Sequence, residues 1–588
     1  MMDRRTLLAI FLAFLVIYVW QAFVVKPVKP AAPVTATAGA TAGATTAPGA
    51  TPAIGLTTPA AAAVAAQQPV TKAAASAGPV SAPVVAESGE RDIRVETRDV
   101  IAVFTNRGAR LKSWRLKHYL DPQREPQELV ERSLTTEPLP FTLRTTDDQL
   151  TATINSALYV ARGESAGEIT RPLDLSFEYQ DAAGVHSVKT FHMEPSSYLL
   201  TFRASVSVGD RVLVPAVLSG PAVGDQGEIT RGAQAAEGLL FQNGSPTRLS
   251  ASDIVKQPAR DGDFHYAGVD DTYFMTAVLD PGPVRITYQP VTVPASADAK
   301  IAARALVAYA VEPAKADAPL KFFIGPKDID VLTALDRDAV SAINFGRFSL
   351  IVVPLLRSLK WVNNYVGNWG WSIVALTIIL NVILFPLQQK SVVSMRKMQE
   401  IQPEIKAIQD RYSKLKATDP AKQKMNTEVM ALYRERGVNP ASGCVPLILT
   451  LPILYAMWAM FTTAIELRGA PFFWIHNLTA RDPYYVTPVL MGATMFWQQR
   501  ITPQTGDPAQ QKMMMFMPII MTAMFVSLPA GALIYYVVSN LWRIGQQYGT
   551  NYFMGPPNIR RGPGSPAERK LKRVGGGKTD AASESDKQ

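Results

Sequence analysis

Five apolar segments between residues 370 and 548, each with polar residues at helical spacing, constrain this chain most. The segments are 370–387, 444–465, 484–497, 513–528 and 530–545. Hydrocarbon offers no hydrogen bonds, so an unsatisfied polar group in a membrane-spanning helix costs several kcal/mol. Polar stripes therefore predict a wet or protein-lined groove between the helices. The stripes consist of Thr377, Asn381 and Gln388 in the first segment and Tyr536, Ser539, Asn540, Arg543 and Gln547 in the last.

The N-terminal 90 residues are predicted to form a membrane anchor followed by a linker. Residues 1–26 are interpreted as a transmembrane signal anchor, because the uncharged run 6–25 forms about 30 Å of helix. Arg4 and Arg5 precede this run and favour a cytoplasmic N-terminus. Residues 27–90 are mostly Ala, Pro, Thr, Gly and Val with almost no charge, which predicts a disordered linker.

Residues 91–335 predict a β-sandwich. Short runs of β-forming residues, such as 173–179 and 198–208, alternate with turn residues and show little helical periodicity. The domain follows the first span, so we expect it outside the cytoplasm. The chain has one cysteine, Cys444, and therefore no internal disulfide framework. A domain of this length is large enough to be stable from its own core.

Residues 347–366 predict an amphipathic helix. Apolar residues recur at positions i, i+3, i+4, i+7 and i+8 from Phe348 onwards. We expect this helix to lie in the outer membrane–water interface. The alternative is a surface helix packed on the β-domain.

The distribution of charged residues predicts the orientation of the chain in the membrane. The segment 388–440 holds eleven Lys and Arg against six Asp and Glu, and the tail 549–588 is also basic. The positive-inside rule therefore places both segments in the cytoplasm. With the first anchor and the five-span core 370–548, the expected fold class is a six-span α-helical membrane protein with a β-sandwich outside the cytoplasm, which the resemblance described below implies is periplasmic. Both termini are then cytoplasmic.

The segment 388–440 predicts a helical hairpin, because apolar residues repeat at 3–4 spacing and Asp419-Pro420 favours the start of a second helix. Its basic residues are either a solvated face or a docking surface for an acidic partner such as ribosomal RNA or a targeting complex. The candidates in the hairpin and tail are Arg396, Lys397, Lys406, Arg411, Lys414, Lys416, Arg569, Lys570, Lys572 and Arg573.

Short motifs recur in order across 347–548. They are Val366-Gly367-Asn368-Trp369-Gly370, Phe385-Pro386-Leu387, Val438-Asn439-Pro440, Gly443-Cys444, Pro446-Leu447, Asp482-Pro483-Tyr484-Tyr485, Leu490-Met491-Gly492, Phe516-Met517-Pro518 and Tyr535-Tyr536-Val537-Val538-Ser539-Asn540-Leu541. With these motifs the segment resembles the YidC/Oxa/Alb family of membrane protein insertases. The β-domain, with Phe323-Ile324-Gly325-Pro326-Lys327 near its end, resembles the periplasmic domain of the Gram-negative YidC form.

The resemblance implies an insertase and chaperone that inserts and folds inner-membrane proteins, alone or with the Sec translocon. It implies a hydrophilic groove open to cytoplasm and lipid, recruitment of ribosomes and nascent chains, and contact with membrane lipids. It implies no cofactor and no direct nucleic-acid specificity. The groove candidates are Thr377, Asn381, Gln388, Thr450, Tyr535, Tyr536, Ser539, Asn540 and Arg543.

One position departs from the family pattern. Bacterial members carry an arginine in the middle of the second span, and the matching residue here is Asn381. An amide hydrates a groove but does not attract an acidic tail by charge. Our hypothesis is that Arg543, seven residues after Tyr536 on the same helical face, supplies the positive potential. The alternative is an interfacial arginine that extends to lipid headgroups.

The sequence gives little support to other classes. None of the five histidines lies in a predicted span, and no nucleophile–base set, Walker loop or metal-ligand cluster is evident, so neither an enzyme nor a metal site is expected. A solute transporter would call for a buried acidic coupling residue or internal repeats. The last alternative is a membrane-anchored periplasmic scaffold in which the β-domain is the active part.

Overall fold

The computed structural model describes residues 82–131, 134, 137–165, 167–220, 235–294, 304–412, 421–438, 445–502 and 508–555. The predicted anchor 1–26, most of the predicted linker and the tail beyond 555 lie outside these residues. The described chain has a β-rich half followed by a helical half.

Eighteen strands form the described β-rich half, and all pairings between them are antiparallel. The strands are β1 (Pro83–Val85), β2 (Asp92–Glu96), β3 (Val100–Thr105), β4 (Arg110–Leu120), β5 (Pro126–Glu128), β6 (Thr142–Arg144), β7 (Val160–Arg162), β8 (Leu173–Asp181), β9 (Val185–Met193), β10 (Leu199–Val208), β11 (Arg211–Leu213), β12 (Ala216–Ser219), β13 (Glu237–Gln242), β14 (Ser245–Leu249), β15 (Ala259–Asp270), β16 (Phe274–Val293), β17 (Arg304–Glu312) and β18 (Leu320–Pro326).

Two sheets share these strands. The large sheet has fourteen strands, with the main order β1-β8-β9-β10-β18-β16-β15-β13-β14, and the small sheet has the order β2-β3-β4-β5. Along β8 and β9 every second residue is buried, as expected where one face of a sheet covers a core. The sheets meet through aromatic side chains: the rings of Phe104 on β3 and Phe191 on β9 lie 4.7 Å apart.

The first strand corrects a predicted boundary. Residues 27–90 were predicted as linker, but β1 lies inside this range and pairs with β8. The side chain of Glu87 then accepts hydrogen bonds from Arg91 and Asn106. The Ala- and Pro-rich composition of residues 27–90 gave no signal for this strand, because the strand forms by pairing with β8, which is distant in sequence.

A lysine is buried in the β-rich core. The side chain of Lys189 on β9 has no solvent exposure. Its ammonium donates to the backbone carbonyls of Gly108 at 2.6 Å, Phe141 at 2.8 Å and Ala109 at 3.3 Å. A single side chain therefore satisfies carbonyl groups of two loops that border the core.

We predict that Lys189→Met lowers the free energy of unfolding by about 1–3 kcal/mol, because the buried carbonyls lose their donor. Thermal unfolding of the full chain in detergent measures the effect. The matched control is Lys112→Met, which removes only a partly exposed pair with Asp92. Equal melting temperatures for the two variants would contradict the assigned role.

Eleven helices occur in the described residues besides short 3-10 turns. They are α1 (Asp148–Ser156), α2 (Ala251–Lys256), α3 (Ile329–Leu335), α4 (Ser349–Val366), α5 (Trp369–Glu400), α6 (Gln402–Arg411), α7 (Ala421–Glu435), α8 (Val445–Thr463), α9 (Val486–Ile501), α10 (Pro508–Phe525) and α11 (Ala530–Met554).

The apolar stripe of α4 packs inside the protein. The side chains of Val352, Leu356 and Leu359 are fully buried and belong to the same core as residues of α5 and α8. The apolar side of α4 is therefore covered by protein. The outward face of α4 exposes Trp361 and Tyr365, whose rings lie 5.0 Å apart.

Helix lengths differ from the predicted segments. α5 continues thirteen residues past the predicted end at 387, and α11 has 25 residues where 16 were predicted. The predicted apolar segments ended early because the C-terminal parts of both helices contain polar residues. Among the described residues, α5 is the one helix that is long and apolar enough to cross a membrane, with shorter apolar stretches at 451–463 and 514–525.

Ion pairs connect the β-rich half to the helices. The Lys360 ammonium on α4 lies 3.1 Å from an Asp328 carboxylate oxygen at the start of α3 and 3.2 Å from Glu466, which follows α8. The Glu466 side chain is 4 % exposed. Burial and the Asp328 carboxylate raise the pKa of Glu466 to about 7, although the Lys360 ammonium pulls it down.

This raised pKa gives a pH dependence with a defined sign. The folded state binds the Glu466 proton more tightly than the unfolded chain, whose ordinary pKa is 4.5. The contribution of Glu466 to stability is therefore present below pH 4.5 and is lost as the pH rises to about 7.

We predict that Glu466→Gln raises the melting temperature of the full chain by a few degrees at pH 8, and that this gain shrinks steadily towards pH 5. Melting curves of both proteins over this range measure the difference. The control is Glu435→Gln at an exposed position of α7, for which we expect no trend. A difference that does not vary with pH would refute the assignment.

Candidate functional site

Polar side chains meet along one line between α5, α9 and α11. We call this line the polar seam and define it by its members, which are Thr377, Asn381 and Gln389 of α5, Thr494 of α9, and Ser539, Asn540, Gln546 and Thr550 of α11. Most members are buried, although hydrophobic residues dominate all three helices.

The layer nearest the middle of the helices contains three of the sequence-predicted residues. The Asn381 amide donates to the Thr377 carbonyl oxygen at 2.8 Å and lies 3.5 Å from the Ser539 hydroxyl. Thr377 donates to the carbonyl of Ile373 in its own helix, at 2.6 Å. Asn381 therefore reaches across to α11, whereas the hydroxyl of Thr377 is satisfied within α5.

The neighbouring contact links α11 to α9. The Asn540 amide donates to the Thr494 hydroxyl at 3.2 Å, and both side chains are buried. Sequence reasoning included Asn540 but missed Thr494, because a lone threonine in an apolar helix gives no signal of an interhelical partner.

A second layer lies about two turns further along. The Gln389 amide donates to the Thr550 hydroxyl at 3.1 Å, and the Gln546 amide donates to the Gln389 carbonyl oxygen at 3.0 Å. The sequence prediction placed Gln388 in this position. Gln388 is half-buried, and the one-residue difference rotates a side chain by about 100° around the helix.

These contacts show that α5 and α11 run parallel. Partners of increasing number on α5 (381, then 389, then 396) contact residues of increasing number on α11 (539, then 546 and 550, then 555). Interhelical hydrogen bonds of this kind stabilise helix packing where water is scarce. We call the end of the seam near residues 396 and 555 its distal mouth.

Arg396 corrects a sequence prediction. We predicted it as a basic docking residue, but its side chain is 4 % exposed. Its guanidinium donates to the Thr550 carbonyl at 3.1 Å and to the Gly555 carbonyl. The prediction was wrong because the continuation of α5 to Glu400 turns this arginine towards α11 rather than towards water.

The other docking candidates have separate outcomes. Lys397, Lys406 and Arg411 are exposed, and Arg411 donates to the Glu428 carboxylate of α7 at 3.1 Å. The remaining candidates lie outside the described residues; they are Lys414, Lys416, Arg569, Lys570, Lys572 and Arg573.

The remaining groove candidates surround the seam. Tyr535 and Tyr536 are half-buried, and the Tyr536 ring lies 5.4 Å from the ring of Phe525 on α10. Arg543 is half-buried and has no hydrogen-bond or ion-pair partner among the described residues. Thr450 falls in α8 at a position whose side chain is not among those described.

Apolar side chains flank the seam on the outside. On α5, Val382 and Ile383 are more than half exposed, although they follow directly after buried Asn381. On α10, Phe516 and Ile519 are similarly exposed. Exposed apolar faces beside buried polar layers are the inverse of a soluble bundle and are typical of helices in lipid.

Comparison with known proteins defines the class of this molecule. Residues 92–358 match the family model described as YidC periplasmic domain, and residues 361–556 match the model described as 60Kd inner membrane protein. The chain is thus an inner-membrane protein with a periplasmic domain.

Full-length relatives then specify the family. A membrane protein insertase YidC of Syntrophus aciditrophicus is 31% identical over 94% of this chain and 99% of the relative. The corresponding protein of Geobacter metallireducens is 32% identical over 93% and 98%. The chain belongs to the YidC family of membrane protein insertases, which are not enzymes.

A solved structure was also similar. A crystal structure of an active YidC insertase with its first transmembrane domain resolved matches with 18% identity and a TM-score of 0.35, covering 80% of this chain and 95% of that one.

Proposed function

We propose that this insertase inserts segments of nascent inner-membrane proteins along the polar seam, which serves as the hydrophilic groove expected from the sequence. One observation carries the proposal: buried, exchangeable hydrogen bonds join α5, α9 and α11, while their outer faces expose apolar side chains. A polar peptide that enters the seam replaces these bonds with its own.

The energetics follow from this exchange. Moving an unpaired peptide group into hydrocarbon costs several kcal/mol, and hydrogen bonds to Asn381, Asn540 or Gln389 offset that cost. The apolar helix of the substrate drives the rest, because its burial in lipid contributes about 25 cal/mol per Å². No nucleotide or cofactor is required for this work.

The proposed topology has six spans with both termini in the cytoplasm and the β-rich domain in the periplasm. The parallel direction of α5 and α11 supports it, because three spans that alternate in direction, α8, α9 and α10, fit between them. The positive-inside rule then assigns the distal mouth to the cytoplasm. The exposed outward face of α4, with Trp361 and Tyr365, fits the outer interface.

The exposed basic residues are the basis on which we propose binding partners. Exposed Lys397, Lys406 and Arg411 lie near the distal mouth, where a ribosome or targeting complex that delivers nascent chains would approach. The Sec translocon is the proposed partner for larger substrates, and lipids cover the apolar faces.

We predict that water reaches the seam from the cytoplasmic side. In a Cys444→Ser background, cysteines at 381, 539 and 540 should react with a charged maleimide, and photo-crosslinkers at 381, 536 and 543 should capture a stalled nascent chain. The control is a cysteine at Ile383, which has the same depth as Asn381 but faces outwards. Equal protection of all four cysteines would remove the basis of the proposal.

Arg543 is proposed to replace the missing family arginine. It follows Ser539 by one helical turn, and no described carboxylate neutralises it. Its charge therefore remains available near the middle of the seam, about 6 Å along the axis from Ser539. The alternative is that its guanidinium extends to lipid headgroups.

We predict that Arg543→Ala slows insertion of substrates with acidic tails several-fold and leaves neutral tails nearly unchanged, and that adding Asn381→Arg restores the rate. An insertion assay in proteoliposomes with paired substrates measures this. Arg500→Ala, which removes an exposed arginine of α9, is the matched control. Normal insertion of acidic tails by Arg543→Ala would exclude the replacement.

A further inference from the structure

Arg396 makes an unusual set of contacts at the distal mouth. It is almost completely buried, and both of its acceptors are backbone carbonyls at the end of α11. The C-terminal end of a helix carries the negative end of its dipole. A guanidinium is therefore well suited to bind carbonyls there.

The two acceptors lie at different points along the end of α11. Thr550 also belongs to the polar layer with Gln389 and Gln546, and Gly555 ends α11 with a φ of 69°. Arg396 thus holds α11 at two points, one within its last turns and one at its terminus. It lies fifteen residues beyond Asn381, which is about 22 Å along α5.

Both contacts of Arg396 are charge-assisted. Among the described residues no carboxylate pairs with Arg396, so both of its described bonds go to neutral oxygens. Because the guanidinium is ionised, each bond is roughly twice as strong as a bond between neutral groups. The two bonds therefore help to set the spacing between the ends of α5 and α11.

We propose that Arg396 is a positioning residue that latches the distal end of α11 to α5 and so sets the width of the distal mouth. Release of this latch separates the two helix ends and widens the entry through which water reaches the Gln389 layer. The latch itself is independent of the substrate, and only its consequence for insertion rests on the proposed seam.

Distances between the helix ends test the latch directly. The full chain carries Cys444→Ser with spin labels at Lys397 and Tyr552, both exposed, and is reconstituted in liposomes without substrate. We expect one narrow distance distribution for the parent and a longer, broader one for Arg396→Ala. Arg396→Lys, which retains one donor group, should be intermediate. The control Arg411→Ala should match the parent.

Solvent access gives a second readout. Ser391→Cys introduces a thiol at a buried position between Gln389 and Arg396. We expect its alkylation to be about fivefold faster or more with Arg396→Ala than with the parent arginine. Unchanged distances together with unchanged alkylation in Arg396→Ala overturn the latch.

If Arg396→Ala does not fold, the same distance and alkylation measurements on Arg396→Lys test the latch, because this variant loses one of the two carbonyl contacts. These readouts involve no insertion. Failure of the latch is therefore distinguishable from failure of the seam, which is tested by the cysteines at 381, 539 and 540.

Discussion

The hydrogen bonds between α5 and α11 are the constraint on which the helical half depends. A polar side chain in an apolar bundle must find a partner, and here the partners lie on the facing helix at successive levels from Asn381 to Arg396. This requirement fixes the parallel direction and the register of the two helices. It also concentrates the buried polar groups of these helices in a single line, the polar seam.

The β-rich domain is fastened to this bundle by charged groups rather than by a broad apolar surface alone. Lys360 bridges α4, the start of α3 and the segment after α8. Arg468 donates to the carbonyl of Leu120 at 2.8 Å and lies over the ring of Phe274 at 5.2 Å.

Much of the architecture follows from sequence pattern. Alternating residues indicated the β-rich domain, and apolar segments with polar stripes indicated the helices that meet at the seam. The stripe on α11 was informative because Ser539 and Asn540 face neighbouring helices. The sequence prediction failed for β1 and for the docking role of Arg396, since both depend on pairing or packing with elements distant in sequence.

The sequence by itself determined which residues are too polar for lipid and that they recur at helical spacing, because composition and the 3.6-residue period need no tertiary information. Only the tertiary structure decided which polar residues meet. Gln389 rather than Gln388 contacts α11, Thr494 accepts from Asn540, and Arg396 turns inwards to the end of α11 instead of outwards to a partner. These outcomes depend on helix rotation, register and length, which packing between separate helices sets.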